Sequence, residues 1–385
     1  MRKICFVTGT RAEYGLLSRL MRLVKDSPDC ELQIIATNMH LLPEYGNTYQ
    51  EILKDGFDID EMVPMPKPSD DNYGVVASMA TEMQGMNDAF RKLQPDMVVI
   101  LGDRYEMLVV ASVAMLNHIP IAHLHGGEIT EGAVDDSIRH AITKLSHLHF
   151  TATEEYRQRV IQLGEQPDRV FNVGAIGVEN LKMVPIIPKE ELEKDLDFVL
   201  DENTIQVTYH PVTLGNRTAE DEIADFLKAM DQFPNLRILF TMPNSDQGGD
   251  VIRKHIENYC NANPSRCKAF ASLGMRRYIS VIQYVGAVVG NSSSGLIEVP
   301  SAHIPTLNIG DRQNGRTRGC SVLDCESDTE SIVEGMKAIL SDEFKNKAKS
   351  AKNPYEKEGT AENIFEKLQF NLQKNITKKT FYNIM

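Results

Sequence analysis

Five consecutive apolar residues, Met97-Val98-Val99-Ile100-Leu101, run straight into Gly102-Asp103-Arg104. A strand without polar alternation must be covered on both faces, which requires a largely parallel sheet with helices on each side. Such strands end at the sheet edge where α/β proteins place ligands. Ile119-Pro120-Ile121-Ala122-His123-Leu124 repeats the arrangement, leading to Gly126-Gly127-Glu128 and then to Asp135-Asp136-Ser137-Ile138-Arg139-His140. Acidic side chains, an arginine and several histidines therefore leave successive elements at one edge. That convergence points to an enzyme with carboxylate acid/base chemistry.

Short strands alternating with helices continue through about the first 175 residues. Strands are expected at Ile4–Val7, Leu32–Thr37, Met97–Leu101, Ile119–Leu124 and Leu148–Ala152, with helices over Ala12–Lys25, Val75–Leu93 and Tyr105–Asn117. Pro, Asp and Ser crowd Pro64–Tyr73, which reads as a loop. Beyond a proline-bearing connection, Met183–Glu193, a second series begins. Its strands are Ile205–Tyr209, Arg237–Phe240, Ala287–Gly290 and Thr306–Ile309, and its helices include Glu220–Gln232 and Gly249–Asn261. A chain of 385 residues exceeds one comfortable core and suits two. The fold class is therefore α/β, with two Rossmann-like doubly wound domains. The domain carrying the carboxylates is expected over 1–182 and a nucleotide-binding domain over 183–360. Residues 361–385 supply a helix and tail, with the option of packing back towards the N-terminal domain.

A net charge of −13 argues against nucleic-acid binding, which normally needs a basic face, but leaves room for a local patch that captures a small anion. The six cysteines include no C-x-x-C pair and read as buried thiols in a reducing cytoplasm. The apolar run after Met1-Arg2-Lys3 ends at Val7, too short for a signal-peptide core. Met107–Leu116 falls well short of the roughly 20 residues that span a bilayer. A cytoplasmic protein without membrane contact is expected.

Several turns offer ligand chemistry. Gly9-Thr10-Arg11 joins a strand to a helix, so its backbone N–H groups and the Arg11 charge suit an anion; an ordinary strand-to-helix turn fits equally well. Gly290-Asn291-Ser292-Ser293-Ser294-Gly295 repeats the situation in the second half. Its hydroxyls and bare amides suit a diphosphate, and Glu298 could accept from a ribose diol, while a serine-capped helix is the plainer account. His210 ends a strand where an imidazole can meet a phosphate or leaving group, or is a satisfied structural histidine. Arg312, Arg316 and Arg318 lie among glycines in Asp311–Gly319 and reverse the local charge of an acidic protein, which favours anion binding over a solvated face. His123-x-His125 alternates along a strand, so both rings would share one face in a geometry zinc can use. With no obvious third ligand of fixed spacing beyond Glu128, no metal is expected.

Together, Gly9-Thr10-Arg11-Ala12-Glu13, Gly102-Asp103-Arg104, Gly126-Gly127-Glu128, Val134–His140, Lys144-Leu145-Ser146-His147 and Gly290–Gly295 resemble the UDP-N-acetylglucosamine 2-epimerase family, most closely its hydrolysing bacterial branch. The motifs stand in the family's order over nearly the whole chain. The resemblance implies the GT-B architecture, two Rossmann-like domains around a deep cleft, with a UDP-sugar as substrate and neither metal nor other cofactor. It implies that UDP leaves by elimination across C1 and C2 of the sugar, and that the resulting glycal is hydrated on the opposite face. Such chemistry needs a base for a weakly acidic C2 proton, a site for the departing diphosphate and delivered water. By position, Asp103, Glu128 and Asp135 match the family's catalytic carboxylates and His210 a histidine near the diphosphate. Arg11, Ser292, Ser293 and Ser294 match phosphate contacts, with Gly295 in the same turn; Glu298 matches the ribose acceptor and Tyr278 a position that packs on uracil. Asp136, Arg139 and Arg312 are further expected substrate contacts. A homodimer or homotetramer is a family-level expectation.

One departure selects the branch. Non-hydrolysing members carry Gly-Gln-His after the second strand, which binds a second, activating UDP-sugar; this chain has Asn38-Met39-His40, and methionine lacks the glutamine amide. The expected reaction is therefore hydrolytic, from UDP-GlcNAc and water to N-acetylmannosamine and UDP. Asn38 also departs from the usual hydrolysing pattern, which keeps open the substrate UDP-2,4-diacetamido-2,4,6-trideoxy-glucose of the legionaminic-acid route. A GT-B glycosyltransferase and a non-catalytic nucleotide-sugar sensor are the alternatives of other classes.

Overall fold

The computed structural model describes residues 1–66, 72–131, 133–212, 217–243, 248–374 and 376–384. The heart of the expected loop Pro64–Tyr73 lies outside them. The chain forms two units, one of Met1–Glu128, Asp135–Asn180 and Lys357–Met385, the other of Ile129–Val134 and Leu181–Glu356. The sequence carried no sign of the short excursion Ile129–Val134, which separates the Glu128 and Asp135 motifs and groups with the second unit.

The first unit is built on seven strands: β1 (Arg2–Thr8), β2 (Cys30–Thr37), β3 (Glu61–Val63), β4 (Met97–Leu101), β5 (Ile121–Leu124), β6 (Leu148–Thr151) and β7 (Val170–Asn172). They pair in parallel in the order β3-β2-β1-β4-β5-β6-β7. The side-chain period of two explains why β4 is apolar throughout. Met97, Val99 and Leu101 join Ile4 and Phe6 in one apolar cluster. Val98 and Ile100 join Cys5 and Val7 in another, with Met86 and Phe90 of the helix Asn72–Leu93 and Met107 and Val110 of the helix Tyr105–Leu116. Ala361, Ile364, Leu368 and Leu372 recur at helical spacing along Thr360–Leu372, so the C-terminal helix helps cover the first face, beside Leu17 and Met21 of the helix Arg11–Asp26.

The second unit has six parallel strands: β8 (Thr204–Thr208), β9 (Arg237–Thr241), β10 (Cys267–Phe270), β11 (Ala287–Gly290), β12 (Thr306–Ile309) and β13 (Val322–Cys325). Their order is β10-β9-β8-β11-β12-β13. Ile205, Val207, Ile238, Phe240, Ala287, Val289, Leu307 and Ile309 supply one buried face. Gly290 stands at φ 131°, and a Cβ there would lie 2.1 Å from the Thr208 carbonyl oxygen, so glycine alone lets β11 end this tightly against β8.

The expected class, α/β with two Rossmann-like parallel sheets, is the one observed. The strand order reverses between β1 and β4 in one unit and between β8 and β11 in the other, and the carboxyl ends of such strand pairs are where open sheets of this kind hold ligands. Among the described residues no helix is long and apolar enough to cross a membrane. Of the cysteines, all free, Cys5, Cys30 and Cys267 are buried, whereas Cys320 is exposed and departs from the expected burial.

Candidate active site

In the first unit one arginine gathers the acids. Arg139 belongs to the helix Asp135–Leu145, with 2% of its side chain exposed. Its Nη2 pairs with Asp103 Oδ2, while Nη1 lies 2.9 Å from Glu128 Oε2 and donates to the His125 carbonyl at 3.2 Å. Two carboxylates sharing a site from which water is largely excluded disfavour each other's charge, and the guanidinium between them offsets that repulsion. The other Glu128 oxygen, Oε1, lies 2.7 Å from His125 Nδ1. Asp103 leaves the carboxyl end of β4 through Gly102 at φ 82°. Gly127 stands at φ 80°, where a Cβ would lie 2.4 Å from the Tyr156 carbonyl oxygen, so the turn before Glu128 also requires glycine. Asp135 and Asp136 open the helix, Asp135 on the same face as Arg139 one turn later. Asp136 Oδ2 lies 3.6 Å from His140 Nε2.

His123 has a different task. Its Nε2 lies 2.7 Å from the Gly102 carbonyl oxygen and its Nδ1 3.3 Å from Thr143 Oγ1. A carbonyl accepts only, so Nε2 carries the proton and Nδ1 accepts from the hydroxyl. Burial pushes the pKa of this ring down to about 3 and keeps it neutral. The contact anchors the Gly102 turn, and with it Asp103. The expectation that His123 and His125 present both rings on one strand face fails, because β5 ends at Leu124 and His125 lies beyond it at φ 64°. Among the described residues no group of three or more His, Cys, Asp or Glu is placed to hold a metal ion.

The turn after β1 goes against the anion reading. Glu13 Oε2 accepts from the backbone N–H groups of Gly9 at 2.8 Å and Thr10 at 3.2 Å, and Thr10 Oγ1 accepts from the Glu13 N–H at 3.3 Å. This reciprocal capping box fills the amides with the chain's own carboxylate. Arg11 pairs with Glu51. His40 is structural: its ring joins Thr8 Oγ1 at 3.1 Å to Thr48 Oγ1 at 2.8 Å, and burial pushes its pKa down to about 4.

Asn291, fully buried, is the hub of the second unit. Its Oδ1 accepts from the His210 N–H at 2.7 Å and its Nδ2 donates to the His210 carbonyl at 2.8 Å. Its own carbonyl accepts from Arg312 Nη1 at 3.2 Å and Gln313 Nε2 at 2.7 Å. The ends of β8, β11 and β12 are thereby locked together, and His210, Arg312 and Ser292-Ser293-Ser294-Gly295 emerge from them. The serine turn enters a single helical turn, Ser294–Ile297, followed by Glu298. A Cβ at Gly295 would lie 2.8 Å from Thr306 Cγ2. The Tyr278 hydroxyl lies 2.5 Å from Ser294 Oγ, and its ring packs against the apolar cluster of Leu181, Ile282 and Val288. The arginine group is not the open cationic patch that its charge suggested. Arg318 pairs with Asp324 at 2.8 Å, and Arg316 donates to the Ile129 carbonyl at 3.3 Å within the same unit.

Sequence reasoning missed the Asn291 hub and the His125–Glu128 contact. An asparagine directly at a strand end, among residues too small to lock neighbouring loops, was the available signal for the first. Asn291→Ala is expected to lower stability by about 1–3 kcal/mol, because it strips a buried backbone N–H and C=O of their partners. Urea unfolding followed by circular dichroism measures it, and an unchanged midpoint would contradict the hub.

The family model for UDP-N-acetylglucosamine 2-epimerase matches residues 22–369. The GDP/UDP-N,N'-diacetylbacillosamine 2-epimerase (hydrolyzing) of Campylobacter jejuni subsp. jejuni is 45% identical over 344 residues, covering 89% of this chain and 89% of that protein. Polysialic acid biosynthesis protein P7 of Escherichia coli is 39% identical over 386 residues, covering 100% and 98%. Among solved structures, UDP-GlcNAc 2-epimerase from Neisseria meningitidis bound to UDP-GlcNAc superposes with a TM-score of 0.79 at 18% identity, over 96% of this chain and 100% of that one. At that identity the likeness is one of fold, and it is to a nucleotide-sugar enzyme of the GT-B type.

Proposed function

Because the chain belongs to the UDP-N-acetylglucosamine 2-epimerase family, we propose that it is a hydrolysing 2-epimerase of nucleotide-linked 2,4-diacetamido-2,4,6-trideoxy-glucose, also called N,N'-diacetylbacillosamine. This replaces the UDP-GlcNAc expectation with the alternative held beside it, since the relative of higher identity among the two is named for the diacetamido sugar. The observation that carries the reading is the Asp103–Arg139–Glu128 constellation at the carboxyl ends of β4 and β5.

The reaction has two halves. In the first, the C2 proton is removed and the nucleoside diphosphate leaves C1, giving a glycal. In the second, water adds across the double bond and C2 receives its proton on the opposite face. Asp103, Glu128 and Asp135 serve proton transfer, with Arg139 paired to the first two. His210, Arg312 and the amides and hydroxyls of Ser292–Gly295 receive the departing diphosphate, with the negative charge that develops there stabilised by donors already in place. Asn291 supports this half by fixing those strand ends. No cofactor enters the scheme, and a cytoplasmic homodimer or homotetramer belongs to the same proposal.

Proton NMR in heavy water tests it, with UDP- and GDP-linked diacetamido-trideoxy-glucose and UDP-GlcNAc as competing substrates. The expected product is 2,4-diacetamido-2,4,6-trideoxy-mannose carrying deuterium at C2, formed with kcat/KM at least about tenfold above that for UDP-GlcNAc. Preference for UDP-GlcNAc restores the first reading. A product retaining its original C2 hydrogen rules out epimerisation by elimination, and nucleotide release that requires an acceptor identifies a glycosyltransferase.

A further inference from the structure

His125 has no task in the carboxylate scheme, yet its setting is that of a working base. Its Nδ1 lies 2.7 Å from Glu128 Oε1, while its Nε2, buried from solvent, has no hydrogen-bond partner among the described residues. Buried polar atoms are nearly always satisfied, so an orphaned ring nitrogen at the ligand edge of a parallel sheet calls for a partner from outside the chain. The carboxylate accepts, so in the neutral ring Nδ1 carries the proton and Nε2 presents its lone pair.

The backbone holds this ring from both sides. His125 N–H donates to the Phe150 carbonyl at 2.8 Å, and its own carbonyl accepts from Arg139 Nη1 at 3.2 Å. The left-handed φ of 64° turns the residue out of the strand direction just past β5, next to β4 and its Asp103. The arrangement is a base with a carboxylate behind it: the carboxylate fixes the tautomer and the ring angle, and steadies the imidazolium that proton transfer creates.

We propose that His125 Nε2 removes the C2 proton of the nucleotide sugar, with Glu128 as its orienting partner, a step that rests on the epimerase reading above. The C2–H bond breaks and its proton passes to Nε2. Its electron pair forms the C1=C2 bond as the C1–O bond breaks, the latter's pair leaving with the nucleoside diphosphate. The imidazolium then exchanges its proton with solvent. Water adds, its hydroxyl to C1 and a proton to C2 from the opposite face, so that substrate plus water gives nucleoside diphosphate plus the 2-epimer.

The test compares wild type with His125→Ala, using UDP-linked diacetamido-trideoxy-glucose and, separately, the corresponding free glycal. Nucleotide release by the variant should fall about 1000-fold with KM nearly unchanged, and added imidazole should restore it at least about tenfold. Hydration of the supplied glycal should continue near the wild-type rate. Release within about fivefold of wild type, or a loss that imidazole does not relieve, overturns the assignment. Should the alanine variant fail to fold, His125→Asn, which keeps an N–H near the Nδ1 position for Glu128, carries the same comparison without imidazole. There, loss of release with glycal hydration intact supports the base, and loss of both or of neither overturns it. A wild-type protein that releases no nucleotide from any sugar sinks the epimerase reading itself; an active wild type with the contrary variant result sinks only His125 as the base.

Discussion

Arg139→Met should abolish nucleotide release, by about a thousandfold or more, and lower folding stability by about 3–5 kcal/mol. Methionine fills most of the arginine's volume, so the loss reports the charge rather than a cavity. Without the guanidinium, Glu128, with 1% of its side chain exposed, and Asp103, with 19%, face each other's negative charge with little water to screen it. One of them must then take up a proton at neutral pH, or the helix Asp135–Leu145 must move away. Either outcome dismantles the acid/base arrangement. Arg139→Lys should recover much of the stability but little of the activity, since a single ammonium cannot span both carboxylates and the His125 carbonyl as the planar fork does. Adding Asp103→Asn to Arg139→Met should return about half of the lost stability and none of the rate, because the stability cost comes from uncompensated charge. Urea denaturation and initial rates of nucleotide release measure both quantities. An Arg139→Met protein as stable and active as wild type would show that the arginine does not hold the site.

That arginine illustrates how much of the site the sequence revealed. Asp103, Glu128 and Arg139 were legible as a group because each follows a strand or opens the next helix, and a parallel sheet brings such positions to one edge. Their pairing was not legible: sequence order says nothing about which acid an arginine will meet. The central strands were visible for a related reason, since β4 is covered on both faces and so is apolar at every position. The four strands that escaped, β3, β7, β10 and β13, are the edges of the two sheets. An edge strand keeps polar residues that discourage further pairing, as in Glu61-Met62-Val63 and Val322-Leu323-Asp324-Cys325, and these break the apolar run. At the Gly9 turn, where the two readings fitted equally well, one further observation favoured the ordinary strand-to-helix turn. Thr10-Arg11-Ala12-Glu13 has capping-box spacing, and a helix that supplies its own carboxylate has no need of a phosphate at that end. Charge alone misled at Arg316 and Arg318, whose partners lie at Ile129 and Asp324.

The C-terminal tail was the least legible part, and it leads to the second large effect. Glu165, with 4% of its side chain exposed, accepts from Lys379 Nζ at 2.9 and 2.8 Å and from His149 Nε2 at 3.0 Å, and pairs with Lys144. Lys379 Nζ also donates to the carbonyls of Lys144 at 2.6 Å and Ser146 at 2.7 Å, so one ammonium ties the tail to the turn before β6. Burial by itself would raise the Glu165 pKa, but the hydrogen bonds from His149, Lys144 and Lys379, with the lysine charges, outweigh it and bring it down to about 2. A carboxyl whose folded pKa is depressed contributes stability above its unfolded pKa of about 4.3 and loses it as pH falls towards the folded value. Glu165→Gln should therefore unfold at markedly lower urea than wild type at pH 7, and the gap should close between about pH 5 and pH 2. A gap independent of pH would mean that the glutamate acts by packing alone. Lys379→Met separates local from global effects: it should speed amide exchange over residues 376–384 first, because a terminal segment held mainly by side-chain bonds from Gln166, Arg169 and Lys379 can open without unfolding the sheet beneath it. If exchange instead rises throughout β5 and β6, the strap is part of the cooperative core of the first unit and Glu165 is its internal counterion.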